Sequence, residues 1–377
     1  LWGLAGLAAL TVAAPAAAQD HLVGVVSESG DFVSWFRPDG RGGLLLDREV
    51  PVGLLLAGID GPHHLAVMPD QRSYLISIAH GVPAGTLWRL DARSDTLLGR
   101  APLENFPTTI AVTPDGEFAF VANSDFHGDR PRINPVTVVH VPTMTAMAHV
   151  PACDMPHGVK VNPAGTRVYI SCMHSDEILE MHAASFEILR RQRIGAGHQM
   201  AAGHGGHGAH AGHGTPPAAG TVLPAPPALA GRACAPTYVS LSADGRQLYV
   251  ACNAASTLQV WETDGFRLLA EIEVGAGAYN AAPAPDGRLV VVTNKRDQSI
   301  SLVDLATRRE AARIRTAKPI VHGIAFSPDG RTAYISAESI GSDPGSVDVL
   351  DLATRRITGT VPVRAQPTGI AVLKLKP

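Results

Sequence analysis

Sixteen histidines and four cysteines hold most of the chemistry open to this 377-residue chain. Some of the histidines form a run: His198-Gln-Met200, then His204, His207, His210 and His213, separated by Gly and Ala. Neutral imidazole nitrogens repeated on a pliant backbone can converge on one zinc, nickel or copper ion. Others are dispersed but stand in matching contexts: Pro62-His63-His64, Pro156-His157-Gly158 and Val321-His322-Gly323. The cysteines sit among further donors, in Cys153-Asp-Met155-Pro-His157 and Cys172-Met173-His174, with Cys234 and Cys252 downstream. Thiolate, thioether and imidazole are soft or borderline ligands, so the first group reads as a candidate metal cluster. In an oxidising compartment the same thiols pair as disulfides instead. Several chemistries are absent. There is no Cys-x-x-Cys-His for covalent haem, no nucleophile elbow, no His-Glu-x-x-His and no phosphate loop. Gly203-His-Gly-Gly-His-Gly208 matches the dinucleotide fingerprint in letters only, without a strand before it or a helix after it.

The elements that must position these residues come from a repeat. Pro107-Thr-Thr-Ile-Ala-Val-Thr-Pro-Asp115-Gly116-Glu-Phe-Ala-Phe-Val-Ala-Asn123 is one copy; Val321-His-Gly-Ile-Ala-Phe-Ser-Pro-Asp329-Gly330-Arg-Thr-Ala-Tyr-Ile-Ser-Ala337 is another. Each joins two apolar, β-branched runs through a tight turn, which reads as a hairpin. Six copies align on Gln71, Gly116, Gly165, Gly245, Gly287 and Gly330. A period of roughly 40–50 residues with four strands in each copy defines a propeller blade. Blades are expected at 61–102, 106–151, 156–197, 236–275, 278–317 and 319–363. A seventh is split, with its first strand in 367–376 and its other three in 21–51. Pairing the two ends closes the ring and removes two exposed edges. The fold class is therefore all-β, a seven-bladed β-propeller.

Reading all copies in one register sorts the candidates. The second residue of each first strand is His63, Thr108, His157, Thr237, Tyr279, His322 and Thr368. First strands line the central channel, so these side chains should form a polar collar at one mouth. His63, His157, His322 and Tyr279, with the adjacent His64, are candidates for binding a cofactor or small ligand there. His80 and His174 share a later position, in the loop beyond the second strand at the same end. Cys153 and Cys234 precede the first strands of two blades, while Cys172 and Cys252 close the second strands of the same blades. Antiparallel pairing then brings Cys153 to Cys172 and Cys234 to Cys252, as two disulfides within single blades. The gap between Gly165 and Gly245 is about twice the others, and the excess is 195–231. This stretch, rich in His, Gly, Ala and Pro, cannot bury a core and reads as a disordered insertion. His198, His204, His207, His210 and His213 in it, with His174, are the candidate metal ligands.

Pro367-Thr-Gly-Ile-Ala-Val372 and Leu248-Tyr-Val-Ala-Cys252 resemble the motif of the YVTN-repeat propellers, in which a Pro-x-Gly-Ile-Ala-Val run and a Ser-Pro-Asp-Gly turn precede Leu-Tyr-Val-Ala-Asn. The resemblance covers nearly the whole chain and implies the propeller fold; such folds host many activities. Pro62-His63-His64-Leu-Ala-Val-Met-Pro-Asp70 and Pro156-His157-Gly-Val are similar to segments of phosphogluconolactonase-type lactonases. That similarity implies a hydrolase with a His base. The repeats are also similar to the haem-binding propeller of dissimilatory nitrite reductases. That one implies a haem site with a collar histidine as axial ligand.

Residues 1–18 are apolar and small, and end in Ala16-Ala17-Ala18 after Pro15. They read as a signal peptide with an Ala-x-Ala cleavage site, leaving a single domain over 19–377. The basic segment that should precede it is missing before Leu1, so the true start is expected upstream. No lipid-acceptor Cys follows. Net charge is −3 and no Lys/Arg run occurs, which argues against nucleic acid or an anionic membrane as partner. Aromatic residues make up 5% of the chain, too few for a base-stacking platform. The expected protein is exported, periplasmic or secreted, and monomeric, with no membrane contact after cleavage. It binds copper or zinc, or a small ligand, at the channel mouth. A lactonase, a haem-associated redox protein and a protein-docking scaffold are the alternatives.

Overall fold

A computed structural model describes residues 20–54, 58–80, 84–126, 133–194 and 233–375. The expected signal peptide and the whole of the expected insertion, 195–231 with its five histidines, lie outside the described residues. Seven four-stranded antiparallel sheets follow one another around a ring. Six run in chain order, over 62–102, 107–153, 156–193, 236–273, 278–315 and 320–365; we number them blades 1 to 6. Blade 7 pairs Pro367–Lys374 with His21–Ser27, followed outward by Phe32–Pro38 and Leu44–Pro51. Its closing pair runs from His21 opposite Lys374 to Ser27 opposite Pro367. The seven-bladed architecture and the closure by both ends of the chain are as expected. The fourth strand of blade 3 ends at Arg193, a few residues short of 197. No helix of the described residues is long and apolar enough to cross a membrane.

The turn alignment holds in backbone terms. Gly116, Gly165, Gly245, Gly287 and Gly330 have φ between 69° and 79°, and Gln71 takes the same left-handed position at 62°. Each apolar cluster bridges two neighbouring blades. Phe120 and Val136 of blade 2 meet Ile170 and Leu179 of blade 3, and Trp35 of blade 7 meets Tyr74 and Ile76 of blade 1. The core is thus a set of radial seams. Second strands are covered on both faces, which explains their unbroken apolar runs, such as the fully buried Ser73–Ile78. Fourth strands expose one face and alternate, as Ile188–Arg193 does. Both expected disulfides are present, Cys153–Cys172 and Cys234–Cys252, and no described cysteine is free. Each closes a loop worth about 3 kcal/mol in the chain-entropy account. They suit an oxidising compartment.

A belt of seven hydroxyls links the blades around the channel. In blades 2, 4 and 7 the collar threonine donates to the collar carbonyl of the next blade. Thr108 Oγ1 reaches His157 O at 3.0 Å, Thr237 Oγ1 reaches Tyr279 O at 2.5 Å, and Thr368 Oγ1 reaches His63 O at 2.8 Å. In blades 1, 3, 5 and 6 the collar residue is His or Tyr, and a second-strand hydroxyl takes over. Ser77 donates to Thr108 O, Ser171 to Thr237 O, Thr293 to His322 O and Ser336 to Thr368 O, at 2.6 to 3.1 Å. Where the collar supplies Thr, the second-strand position holds Ala122, Ala251 or Val26. Each of the second-strand hydroxyls also accepts a backbone N–H, as Ser171 does from Gly158 at 2.9 Å. Gly158 has no alternative, because a Cβ there would stand 2.8 Å from Ser171 Oγ and Thr237 O. Removing a belt hydroxyl leaves buried groups unpaired, at a cost of about 1–3 kcal/mol. Ser171→Ala and Thr293→Val are expected to lose that much in urea unfolding. Ser94→Ala, in an exposed turn, is expected to stay within about 0.5 kcal/mol. Equal effects at belt and turn would refute the belt's role.

Candidate functional site

The belt separates the seven collar residues into two kinds. Thr108, Thr237 and Thr368 spend their side chains on it and serve the ring. His63, His157, Tyr279 and His322 are released from it, and they converge. His63 and His322 have ring centroids 5.5 Å apart, His63 and His157 6.4 Å, His157 and Tyr279 5.4 Å, Tyr279 and His322 4.6 Å. All four are buried. The structure therefore brings together on one channel mouth the four collar side chains singled out from the repeat.

Their hydrogen bonding differs. His157 is filled on both nitrogens: Nδ1 lies 2.9 Å from Thr237 O, and Nε2 lies 3.0 Å from the Tyr279 hydroxyl. A carbonyl only accepts, so Nδ1 carries the proton and Nε2 accepts from Tyr279. Burial pushes the Tyr279 phenol well above its ordinary value, keeping it a neutral donor. Burial holds His157 down to about 3. Among the described residues, His63 and His322 each keep one buried ring nitrogen without a hydrogen-bond partner, Nε2 and Nδ1 respectively. Burial first, then the Lys295 charge, holds His322 far below its ordinary value and therefore neutral.

Three charged residues that the repeat reading did not single out surround this group. Glu28 Oε2 lies 2.8 Å from His63 Nδ1, and Oε1 lies 3.4 Å from His80 Nε2. Burial alone would raise the Glu28 carboxyl, but His63 and His80 outweigh it and draw it to about 2. Lys295 Nζ lies 3.4 Å from Glu338 Oε1 and 4.4 Å from the Tyr279 ring centroid. Burial raises Glu338, with Lys295 opposing. The signal for all three was one residue further along the repeat. Glu28, Lys295 and Glu338 each stand just beyond the second strand's inner core. Glu28 N bonds Gln366 O and Lys295 N bonds Gly277 O, as Ala79 N bonds Gly61 O in blade 1. Phe106, left-handed at φ 48°, adds an aromatic wall, 5.5 Å from His63 and 5.0 Å from Phe126.

The other candidates lie elsewhere. His64 stands beside the collar, where its Nδ1 accepts from Ile110 N at 3.4 Å, and burial holds it down to about 3. His174 is half exposed, with Nδ1 3.4 Å from Asp154. The thiols of the Cys-Met-His group on blade 3 are consumed in the disulfide, so that cluster offers no thiolate. Among the described residues, no three His, Cys, Asp or Glu side chains are gathered as a metal site. His198, His204, His207, His210 and His213 lie outside the described residues.

No protein-family model matches the chain. Among solved structures it is similar to hydrazine synthase of Kuenenia stuttgartiensis, at TM-score 0.63 and 17% identity, over 85% of this chain and 93% of that one. It is similar to a functionally unknown protein of Desulfotomaculum acetoxidans DSM 771, at TM-score 0.67 and 13% identity, over 94% and 99%. It is also similar to the dihydro-heme d1 dehydrogenase NirN in complex with DHE, at 0.55 and 16%, over 93% and 74%. At these identities the likeness is one of fold. The chain is a seven-bladed β-propeller with a histidine collar at one mouth.

The buried neutral imidazole has a measurable consequence. His157 has an ordinary value of 6.5 but is held at about 3 in the fold. Between those values the unfolded chain binds a proton that the folded chain refuses, so stability rises with pH there. The contribution is complete above about 6.5 and is lost as pH falls toward 3. Glu28, drawn from 4.5 to about 2, adds its loss only below 4.5. His157→Gln is therefore expected to show a shallower loss of urea midpoint than the parent between about pH 7 and about pH 5. Identical slopes would contradict this account.

Proposed function

We propose that this protein is an exported binding protein for a transition-metal ion of the copper or zinc type, which its histidine run captures and its collar holds. One observation carries the reading. Two imidazoles on separate rigid strands, His63 and His322, each keep a buried nitrogen that no described residue fills, with their ring centroids 5.5 Å apart. Two imidazoles sharing one tetrahedral ion at about 2.0–2.1 Å per bond put their centroids about 5 Å apart. The His63 and His322 rings are thus spaced as those of a pair of ligands would be. Water completes the coordination, which leaves positions open for passing the ion on. A site borne on strands is also more rigid than one borne on loops.

The insertion joins blade 3 to blade 4 at this same end of the ring. Its roots are held together: Ile194 N bonds Asp176 O at 3.0 Å, and Ala235 N bonds Asp176 Oδ1 at 2.7 Å. The described residues on either side of the histidine run therefore lie at the end of the ring that carries the collar. The mouth also holds the Glu28 carboxylate, while Glu338 there is paired with Lys295.

Zinc titration of the purified chain tests this. A variant with His198, His204, His207, His210 and His213 changed to Ala is expected to lose most zinc sites and keep one. Adding His63→Ala and His322→Ala is expected to remove that one. Deleting 198–231 should leave the melting temperature within a few degrees, because loop length affects stability only logarithmically. A five-histidine variant that binds no zinc would defeat the collar site. The similar structures include one named for dihydro-haem d1. A haem would use the same open imidazole nitrogen, so a Soret band in protein from its native source would replace the metal-ion reading.

A further inference from the structure

His63 and His157 occupy the same place in the repeat, yet one presents an open nitrogen and the other does not. The difference lies in what each Nδ1 meets. His157 Nδ1 is bound to a backbone carbonyl, and Tyr279 fills its Nε2. His63 Nδ1 meets the Glu28 carboxylate at 2.8 Å, and no described residue fills its Nε2. A carboxylate accepts only, so Nδ1 keeps its proton and a metal ion can take the ring only through Nε2. The ring is held in place by its surroundings. Phe106 stands 5.5 Å from it on one side and His322 5.5 Å away on another, while Thr368 Oγ1 anchors the His63 carbonyl. Glu28 itself is buried, on a short 3₁₀ turn whose first N–H bonds Gln366 O at 2.8 Å.

We propose that Glu28 is the positioning carboxylate of the collar metal site, fixing the tautomer and orientation in which His63 Nε2 ligates the ion. This rests on the metal reading above. A carboxylate behind a ligating imidazole raises its basicity as well as aiming it, and losing such a partner weakens metal affinity about 10–100-fold. At the corresponding place one blade before His322 stands Lys295, which cannot accept from an imidazole. The two ligands are therefore set differently: a carboxylate stands 2.8 Å from His63 Nδ1, whereas Glu338 Oε1 stands 4.0 Å from His322 Nε2 and is shared with Lys295 at 3.4 Å. Glu28 is supplied by the strand that closes the ring, so the site is complete only in the closed ring.

The test uses the full-length chain in the background lacking the five insertion histidines, with Zn²⁺ as the titrant. Co²⁺ serves as the reporter of coordination through its visible bands. Glu28→Gln keeps an oxygen acceptor for Nδ1 but removes the charge. It is expected to weaken Zn²⁺ binding about 10–100-fold while keeping the form of the Co²⁺ spectrum. Ser171→Ala removes a belt hydroxyl that bonds Thr237 O, away from His63 and His322; it is expected to lower the melting temperature and leave Zn²⁺ affinity within about twofold. Glu28→Gln affinity within about twofold of its parent, with His63→Ala still losing the site, would overturn the positioning role and leave the metal reading intact. Loss as complete as in His63→Ala, with a changed Co²⁺ spectrum, would make Glu28 a ligand and also overturn it. Zn²⁺ binding that survives both His63→Ala and His322→Ala would defeat the metal reading itself.

Discussion

The hydroxyl belt is the interaction on which the rest of the ring depends. Seven blades packed side by side around an axis present seven buried collar carbonyls, each facing the preceding blade. Each must be satisfied, and each is satisfied by a hydroxyl of the preceding blade. The donor can sit on the first strand or on the second, but every blade supplies one. This complementarity links the fold to the site. When Ser77, Ser171, Thr293 or Ser336 takes the duty, the neighbouring first-strand position is free for imidazole or phenol. The chemistry-bearing side chains are therefore placed where the second strand has relieved them.

Electrostatics at the mouth follow from the same placement. Burial keeps His157 and His322 neutral and Tyr279 protonated, so these groups face each other without repulsion. The acidic and basic groups that are present come with partners, Glu28 against the His63 and His80 rings and Lys295 against Glu338. A buried charge without such a partner would cost several kcal/mol.

The ring, its blade boundaries, its closure and both disulfides were legible in the sequence because each follows from a repeat register and strand antiparallelism. The convergence of His63, His157, His322 and Tyr279 was legible for the same reason. What was not legible is which of the seven collar residues are structural. Thr108 and His157 occupy equivalent places, and only the paired choice of Ala122 or Ser171 on the second strand distinguishes them. Glu28 was hidden for another reason. It belongs to the split blade, whose turn residue is replaced by the chain ends, so the register that finds Lys295 and Glu338 has no anchor there. The cysteine cluster on blade 3 read equally as ligands or as a bond, and only the pairing of Cys153 with Cys172 decides it.

The split blade carries a consequence for how the chain can be connected. Leu375 N bonds Asp20 O at 2.7 Å, so the two ends lie side by side on the face where every other blade has its first-to-second-strand turn. A four-residue turn of the kind at Pro114-Asp115-Gly116-Glu117 would make blade 7 continuous. The same ring can then begin and end in the segment between blades 3 and 4. Such a circular permutant keeps all seven seams and the whole belt, and carries the histidine run as its two tails.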